Sequence, residues 1–455
     1  MSDINCPVFL FAMNKTFNKT FLSFLMIAFC VSSSMAVNGK HGANVDYVSK
    51  SSKSLEELVE KFLSTNDVAL AEEILVSILS RSDVSTSRVA GLIHSEPRFS
   101  QDSVGHQPRQ IVQVRGREMS YGLFVPPTYE PIKAFPLVVC LHGAGFTGDS
   151  YLERWVARLE NAYILACPTI SMGMWWSRVG EELVLATMRA VQERYHIDPD
   201  RIYLTGMSNG GIGAWLIGMH YAPRFAGVAP MASGMDKVLY PFLPNLQHTP
   251  LYVIHGSKDQ IMPVWLSRDI TNTLAQLGIG YVYREHEWSH PHSGGHFFPR
   301  QELPALVQWF SQQRRERYPF QMTVVRDASH LSDFDWVRID STDLIAMFSD
   351  QLIDRQDDLI KNGVFAKLDV RNNRNNRIEV KSSHVRRYTL FFNDVLIDFS
   401  QPLTVVTNGV TSFEGIMTSN LEVLLREARR RQDRSLEYSA KLTVDVPASI
   451  SQGSE

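Results

Sequence analysis

Arg201-Ile-Tyr-Leu-Thr-Gly-Met-Ser-Asn-Gly-Gly211 is the stretch from which the rest of this chain is read. An apolar run with the character of a strand is broken by Gly206-Met207-Ser208-Asn209-Gly210, and a helix-like segment with Ala214, Trp215 and Leu216 follows at once. This is G-x-S-x-G in the setting that gives it meaning, strand then sharp turn then helix. The glycines on either side of Ser208 remove Cβ atoms that would clash in a turn tight enough to hold a serine in a strained conformation with its Oγ exposed. The following helix directs its N-terminal amides at the same point, where negative charge would develop. The same five residues in a loop would be an ordinary Gly/Ser turn. Here the flanking pattern makes Ser208 the candidate nucleophile.

A serine hydroxyl attacks only when a base takes its proton and the resulting oxyanion is stabilised. Upstream, Leu141-His142-Gly143-Ala144-Gly145 follows an apolar strand-like run, and its glycines let a substrate oxygen approach the backbone. The amides of Ala144 and Asn209 are the expected oxyanion donors. His142 and Gly143 of the same turn, with Trp175 and Trp176 in the loop after the fourth strand, are candidates for contacting substrate, although the tryptophans could equally pack a lid. Downstream, Asp259 lies just past the apolar run Leu251 to Ile254, in His255-Gly256-Ser257-Lys258-Asp259-Gln260-Ile261-Met262-Pro263. It is the expected acid, fixing the tautomer of a histidine and stabilising the imidazolium. Asp198 and Asp200, at the other end of the serine's strand, read as turn residues. His286, His290, His292 and His296 all satisfy the chain order Ser, Asp, His. His296 is favoured, because Gly294-Gly295 allows a loop to carry the imidazole across the top of a sheet. No spacing among these histidines matches a zinc signature, and neither metal nor cofactor is expected.

Strand-like runs recur at 111–115, 120–125, 136–141, 162–167, 201–205, 226–231, 250–255 and 280–284, with helix-like segments between the later ones. Two early strands followed by alternation predict an α/β domain with a mostly parallel sheet of about eight strands, the serine following the fifth. Ahead of it, Ser54 and Glu57 form a capping-box pattern before a helical period in Leu55, Leu58, Val59 and Phe62. Two further short helices complete a region for which packing is the expected role. After Pro319 short β-like runs replace the alternation, Asn408-Gly409 signals a hairpin, and one helix near 419–431 carries Arg426, Arg429, Arg430 and Arg431. That arginine-rich face reads as solvated. The expected division is 1–36 signal peptide, 37–107 helical region, 108–318 catalytic domain and 319–455 β-rich module.

The first 36 residues have their own logic. Lys15 and Lys19 precede the apolar run Phe21 to Val31, and Ser34-Met35-Ala36 supplies small residues before a cleavage point after Ala36. This predicts export, with no stable membrane span afterwards and a secreted or periplasmic product. Cys140 and Cys167 then remain of four cysteines, each in a strand-like run, expected buried and unpaired. A chain of 455 residues, 44% hydrophobic and 20% charged, with a net charge of −3, is ordinary globular composition and gives no reason to expect nucleic acid as a partner.

His142-Gly-Ala-Gly145, Gly206-Met-Ser-Asn-Gly210, Asp259 with Pro263, and Gly294-Gly-His296 together resemble the α/β-hydrolase superfamily over roughly residues 108–315. Within it the chain is similar to exported esterases related to polyhydroxybutyrate depolymerases and feruloyl esterases, and to the phospholipase/carboxylesterase group. In those relatives the last motif is usually followed by Trp-Pro, whereas this chain has Phe297-Phe298-Pro299. The resemblance implies a secreted serine esterase acting on a small-molecule or polymeric ester through an acyl-enzyme. Two alternatives stand beside it. One is a prolyl-oligopeptidase-type peptidase, which normally carries a β-propeller for which no repeat exists here. The other is a binding protein on a hydrolase scaffold. Oligomeric state is left open.

Overall fold

The computed structural model describes residues 54–95, 99, 102–159, 161–326, 333–346 and 357–447. The expected signal peptide lies outside them. The chain enters through three short helices, α1 (Leu55–Ser64), α2 (Val68–Leu79) and α3 (Thr86–His94). The capping box at α1 is complete: the Glu57 N–H donates to Ser54 Oγ at 3.1 Å and the Ser54 N–H to Glu57 Oε2 at 2.9 Å.

The central sheet then forms from β1 (Gly105–Val114), β2 (Arg117–Val125), β3 (Phe135–Leu141), β4 (Ile164–Pro168), β5 (Ile197–Met207), β6 (Gly227–Met231), β7 (Leu251–Gly256) and β8 (Tyr281–His286). Its order is β1-β2-β4-β3-β5-β6-β7-β8. β2 runs against both its neighbours, and the pairs from β4 to β8 are parallel. Each strand contains most of a run read from the sequence. Helices α4 (Gly148–Leu159), α5 (Arg178–Arg194), α6 (Asn209–His220), α7 (Trp265–Gln276) and α8 (Leu303–Gln312) connect and cover it. β3 is buried along its whole length. Its side chains alternate between faces as the pleat requires. Leu137, Val139 and Leu141 join Leu183 and Val184 of α5 and Leu216 of α6. Val138 and Cys140 join Trp155 of α4 and Phe310 of α8. Cys140 and Cys167 are buried free thiols on adjacent strands.

The C-terminal segment contributes β9 (Gln321–Arg326), β10 (Asp333–Phe334), β11 (Val337–Thr342), α9 (Asp357–Lys361), β12 (Ala366–Asn372), β13 (Arg377–Ser383), β14 (Val385–Phe392), β15 (Pro402–Thr407), β16 (Val410–Ile416), α10 (Leu421–Arg431) and β17 (Ala440–Asp445). They form one sheet ordered β10-β11-β14-β17 and another ordered β16-β15-β13-β12-β9. Asn408 and Gly409 turn the β15–β16 hairpin with φ of +50° and +83°, the doubly left-handed geometry of a tight hairpin turn. The described residues belong to one compact unit. The 3-10 segment Lys237–Leu246 joins central sheet to C-terminal strands. Its Asn245 side chain mimics a strand neighbour, donating to Val325 O at 2.9 Å and accepting from the Val325 N–H at 2.7 Å.

α10 corrects the solvated-face reading in part, for Arg426 and Arg430 remain exposed. Its Leu424, Leu425 and Ala428 pack with α1, α2 and α3 into one apolar cluster. The arginines follow suit: Arg426 pairs with Glu72 at 2.7 Å, and Arg429 donates to the carbonyls of Phe62 and Thr65 at 2.8 and 2.5 Å. Arg431 is buried against Glu427 and the Asp335 carbonyl. The face is polar because it is an ion-paired seam between segments more than 350 residues apart.

Candidate active site

Ser208 sits between β5 and α6 with φ +59° and ψ −123°, a conformation that costs a non-glycine residue about 1–3 kcal/mol and persists only when its surroundings impose it. Those surroundings are backbone. A Cβ on Gly206 would lie 2.2 Å from Gly210 O, and one on Gly210 would lie 1.9 Å from Leu141 O. Both glycines are needed for close approach, which presses the elbow against the end of β3. The Ser208 N–H donates to Met231 O at 3.1 Å, and its carbonyl accepts from the Ile212 N–H at 3.0 Å, so the strained residue is tied to β6 and to the first turn of α6.

The turn 142–145 after β3 is braced from behind. His142 is fully buried; its Nδ1 is 2.8 Å from Gly143 O and its Nε2 accepts from the Ile170 N–H at 3.1 Å. The tautomer is therefore Nδ1–H, and burial lowers the ring's pKa, which favours its neutral form. Trp175, also fully buried, donates its Nε1–H to His142 O at 2.8 Å. These two side chains are buried behind the turn and hold it; for Trp175 this is the packing alternative, and for His142 it replaces the expected substrate contact. Trp176 is half-buried against the same core. Gly143 faces the serine: a Cβ there would stand 3.4 Å from Ser208 Cβ. The Asn209 side chain donates to Met172 O at 2.9 Å, pinning the loop after β4 to the start of α6. Ala144 is exposed and Asn209 opens α6; among the described residues neither backbone N–H has a protein acceptor.

The loop following β8 crosses β7 through Gly294 and Gly295. Gly294 has φ +56°, and a Cβ on it would lie 1.9 Å from Lys258 O. The Gly295 N–H donates to Lys258 O at 2.9 Å. This contact delivers His296, whose Nδ1 is 2.8 Å from Asp259 Oδ2, the two side chains only 5% and 0% exposed. Asp259 Oδ1 accepts from the Ile261 and Met262 N–H groups at 2.8 and 2.9 Å. Burial pushes the Asp259 carboxyl up. Hydrogen bonds from His255 and His296, the His296 charge and the Met262 N–H outweigh that and hold it well below the usual carboxylate range. Of the four histidines compared from the sequence, His296 is the one on Asp259. His286 is buried beneath, and His290 accepts the His292 N–H at 3.3 Å in an outer turn.

A second histidine reaches the same carboxylate. His255 Nε2 is 3.2 Å from Asp259 Oδ2 and 2.8 Å from Met262 O, and its Nδ1 is 2.7 Å from Ser267 Oγ, which donates to Ser233 O at 2.9 Å. The sequence offers little that singles out His255. The available signal was its place four residues before Asp259 at the tip of a buried strand. Ser208 Oγ has no hydrogen-bond partner among the described residues, His296 included. Exposed Met172, Met174, Ile261, Trp265 and Trp288 lie on the segments that follow β4, β7 and β8.

A mostly parallel eight-stranded sheet with one reversed strand, and a strained serine between its fifth strand and the next helix, are the layout of the α/β-hydrolase fold. No family model matches this chain. It is 25% identical over 223 residues to Probable feruloyl esterase C of Aspergillus terreus, covering 44% of this chain and 77% of that one. It is 32% identical over 127 residues to poly(3-hydroxyalkanoate) depolymerase C of Paucimonas lemoignei, covering 24% of this chain and 30% of that one. Among solved structures, a thermostable esterase aligns at 27% identity with a TM-score of 0.39, over 46% of this chain and 63% of that one. A fluorophosphonate-binding serine hydrolase of Staphylococcus aureus aligns at 13% identity, also with a TM-score of 0.39, over 46% of this chain and 99% of that one.

Proposed function

We propose that this protein is a serine hydrolase of carboxylic esters, with Ser208 as nucleophile, His296 as base, Asp259 as the acid that orients it, and the Ala144 and Asn209 amides as oxyanion donors. The observation that carries the reading is the sealed His296–Asp259 pair, 2.8 Å apart, at the same end of the sheet as the strained serine. His296 takes the Ser208 proton, Ser208 Oγ adds to the ester carbonyl, and the alcohol leaves with that proton. Water then releases the acid by the reverse route. Each oxyanion donor supplies about 3 kcal/mol of transition-state stabilisation, which gives the bracing of the 142–145 turn by Trp175 a catalytic purpose.

An ester with an apolar or aromatic portion is the proposed substrate class, supported by the relatives named for feruloyl and polyhydroxyalkanoate esters and by the apolar side chains exposed around this end of the sheet. Residues 108–318 are assigned as the catalytic domain, 37–107 as the helical region and 319–455 as a β-rich module. Residues 1–36 are assigned as an export signal, placing the enzyme outside the cytoplasm. No helix among the described residues is long and apolar enough to cross a membrane.

The test is hydrolysis of p-nitrophenyl esters from acetate to long chains by the mature protein and its Ser208→Ala variant. Turnover by the first and not the second is expected, with the chain-length optimum sizing the acyl site. Wild-type inactivity on every ester, with cleavage of peptide amides, would move the assignment to a peptidase.

A further inference from the structure

Away from Ser208, three arginines gather on the side of the sheet covered by α4 and α8. Arg154 and Arg158 project from consecutive turns of α4, and Arg300 lies on the segment leading from His296 to α8. With Glu153, Ala157 and Leu303 they line a cleft of about 380 Å³. Two of the guanidinium groups are held by aromatic faces: Arg154 lies 4.5 Å from the Phe146 ring centre, and Arg158 lies 5.5 Å from those of both Trp155 and Phe298. Among the described residues no carboxylate pairs with any of the three, Glu153 at the cleft included. The contrast is Arg315, more buried than any of the three, which Asp200 and Asp433 neutralise at 3.0 and 2.6 Å. Burial lowers the basicity of Arg158, and the charges of Arg154 and Arg300 lower it further.

Half-burying one guanidinium beside two others, with no counter-charge among the described residues, is unfavourable unless something else supplies the charge. Planar guanidinium forks stacked on aromatic rings are already ordered for bidentate contact with an oxyanion. We propose that this cleft is an anion site for a carboxylate, sulfate or phosphate group held between Arg158 and Arg300. The placement has a consequence for the candidate active site. α4 starts three residues after Gly145 of the oxyanion turn, and Arg300 comes four residues after His296. An anion bridging the two arginines ties together the segments that carry the oxyanion turn and the base. That coupling rests on the proposed esterase reading; the binding itself does not.

The experiment is thermal melting of the purified protein in sodium sulfate against sodium chloride at equal ionic strength, for wild type, Arg158→Gln and Arg300→Gln. A bound anion gives a saturable rise of about 2 °C at tenfold excess over Kd, absent from both variants. General salting-out by sulfate is unsaturable and indifferent to the substitutions. A rise no greater than with chloride, or one equal in all three proteins, overturns the proposal. Arg300 is exposed, so its variant keeps the test valid if Arg158→Gln fails to fold. A second arm separates a free anion from an acidic part of the substrate. A KM increase in Arg300→Gln confined to carboxylate-bearing esters assigns the site to substrate, and equal KM values on acidic and neutral esters assign it to a free anion.

Discussion

Asp335→Asn should make this protein more stable, and increasingly so as pH rises from the unfolded carboxyl's value towards neutrality. Asp335 occupies the turn between β10 and β11 with φ +47° and is 8% exposed, its carbonyl accepting from Arg431 at 2.6 Å. Burial pushes its carboxyl up from 3.8 to about 7, with the Arg315 and Arg431 charges opposing and Glu316 reinforcing. An acid whose folded pKa is raised costs nothing below its unfolded pKa. It costs progressively more as pH rises towards the folded value, and a constant amount above it. A rise of about three pKa units at 1.36 kcal/mol each sets that plateau on the order of 4 kcal/mol. Asparagine has nearly the same shape, accepts the left-handed backbone readily and cannot ionise. Urea denaturation of both proteins at pH 4.5 and 8 reads the difference directly. The variant should gain about 1 kcal/mol at the lower pH and about 4 at the higher. A gap that is the same at both, or a variant less stable at pH 8, would refute the argument that an ionised Asp335 burdens the fold.

Gly210→Ala places a methyl group 1.9 Å from Leu141 O, where only backbone movement of more than 1 Å brings relief. We expect a stability loss of roughly 3 kcal/mol and ester hydrolysis at least tenfold slower, measured by denaturation and initial rates; a variant that retains both shows the elbow to be softer than its geometry implies. His255→Gln removes a hydrogen bond to the Asp259 carboxylate worth about 1.5–3 kcal/mol, so kcat should fall roughly 10- to 100-fold with KM little changed. The acidic limb of its kcat/KM profile should shift as well, and a wild-type profile with only lowered stability would reduce His255 to a packing residue.

The readable parts of this fold are those governed by neighbours along the chain. Eight strands followed from apolar runs of the right length, because a doubly covered parallel sheet buries whole strands. The α1 cap and the Asn408-Gly409 turn followed from two or three residues each, whose side-chain or φ requirements are local. The preference for His296 rested on a glycine pair, and the structure shows what the pair is for: a side chain at Gly294 would strike the Lys258 carbonyl.

What was misread or missed depends on partners distant in sequence. Trp175 and Trp176 read alike until burial separated an anchor of the 142–145 turn from its half-buried neighbour. The arginines of α10 read as solvated because Glu72 and the Phe62 carbonyl lie over 350 residues earlier. The sequence by itself determined the order of elements, the elbow and the chemical identities around it, because periodicity, glycine sterics and turn geometry act over a few residues. Only the tertiary structure decided which histidines meet Asp259, which tryptophan braces the turn and which arginines lack a carboxylate among the described residues. Those outcomes turn on desolvation and on distances of a few ångströms between segments that packing alone brings together.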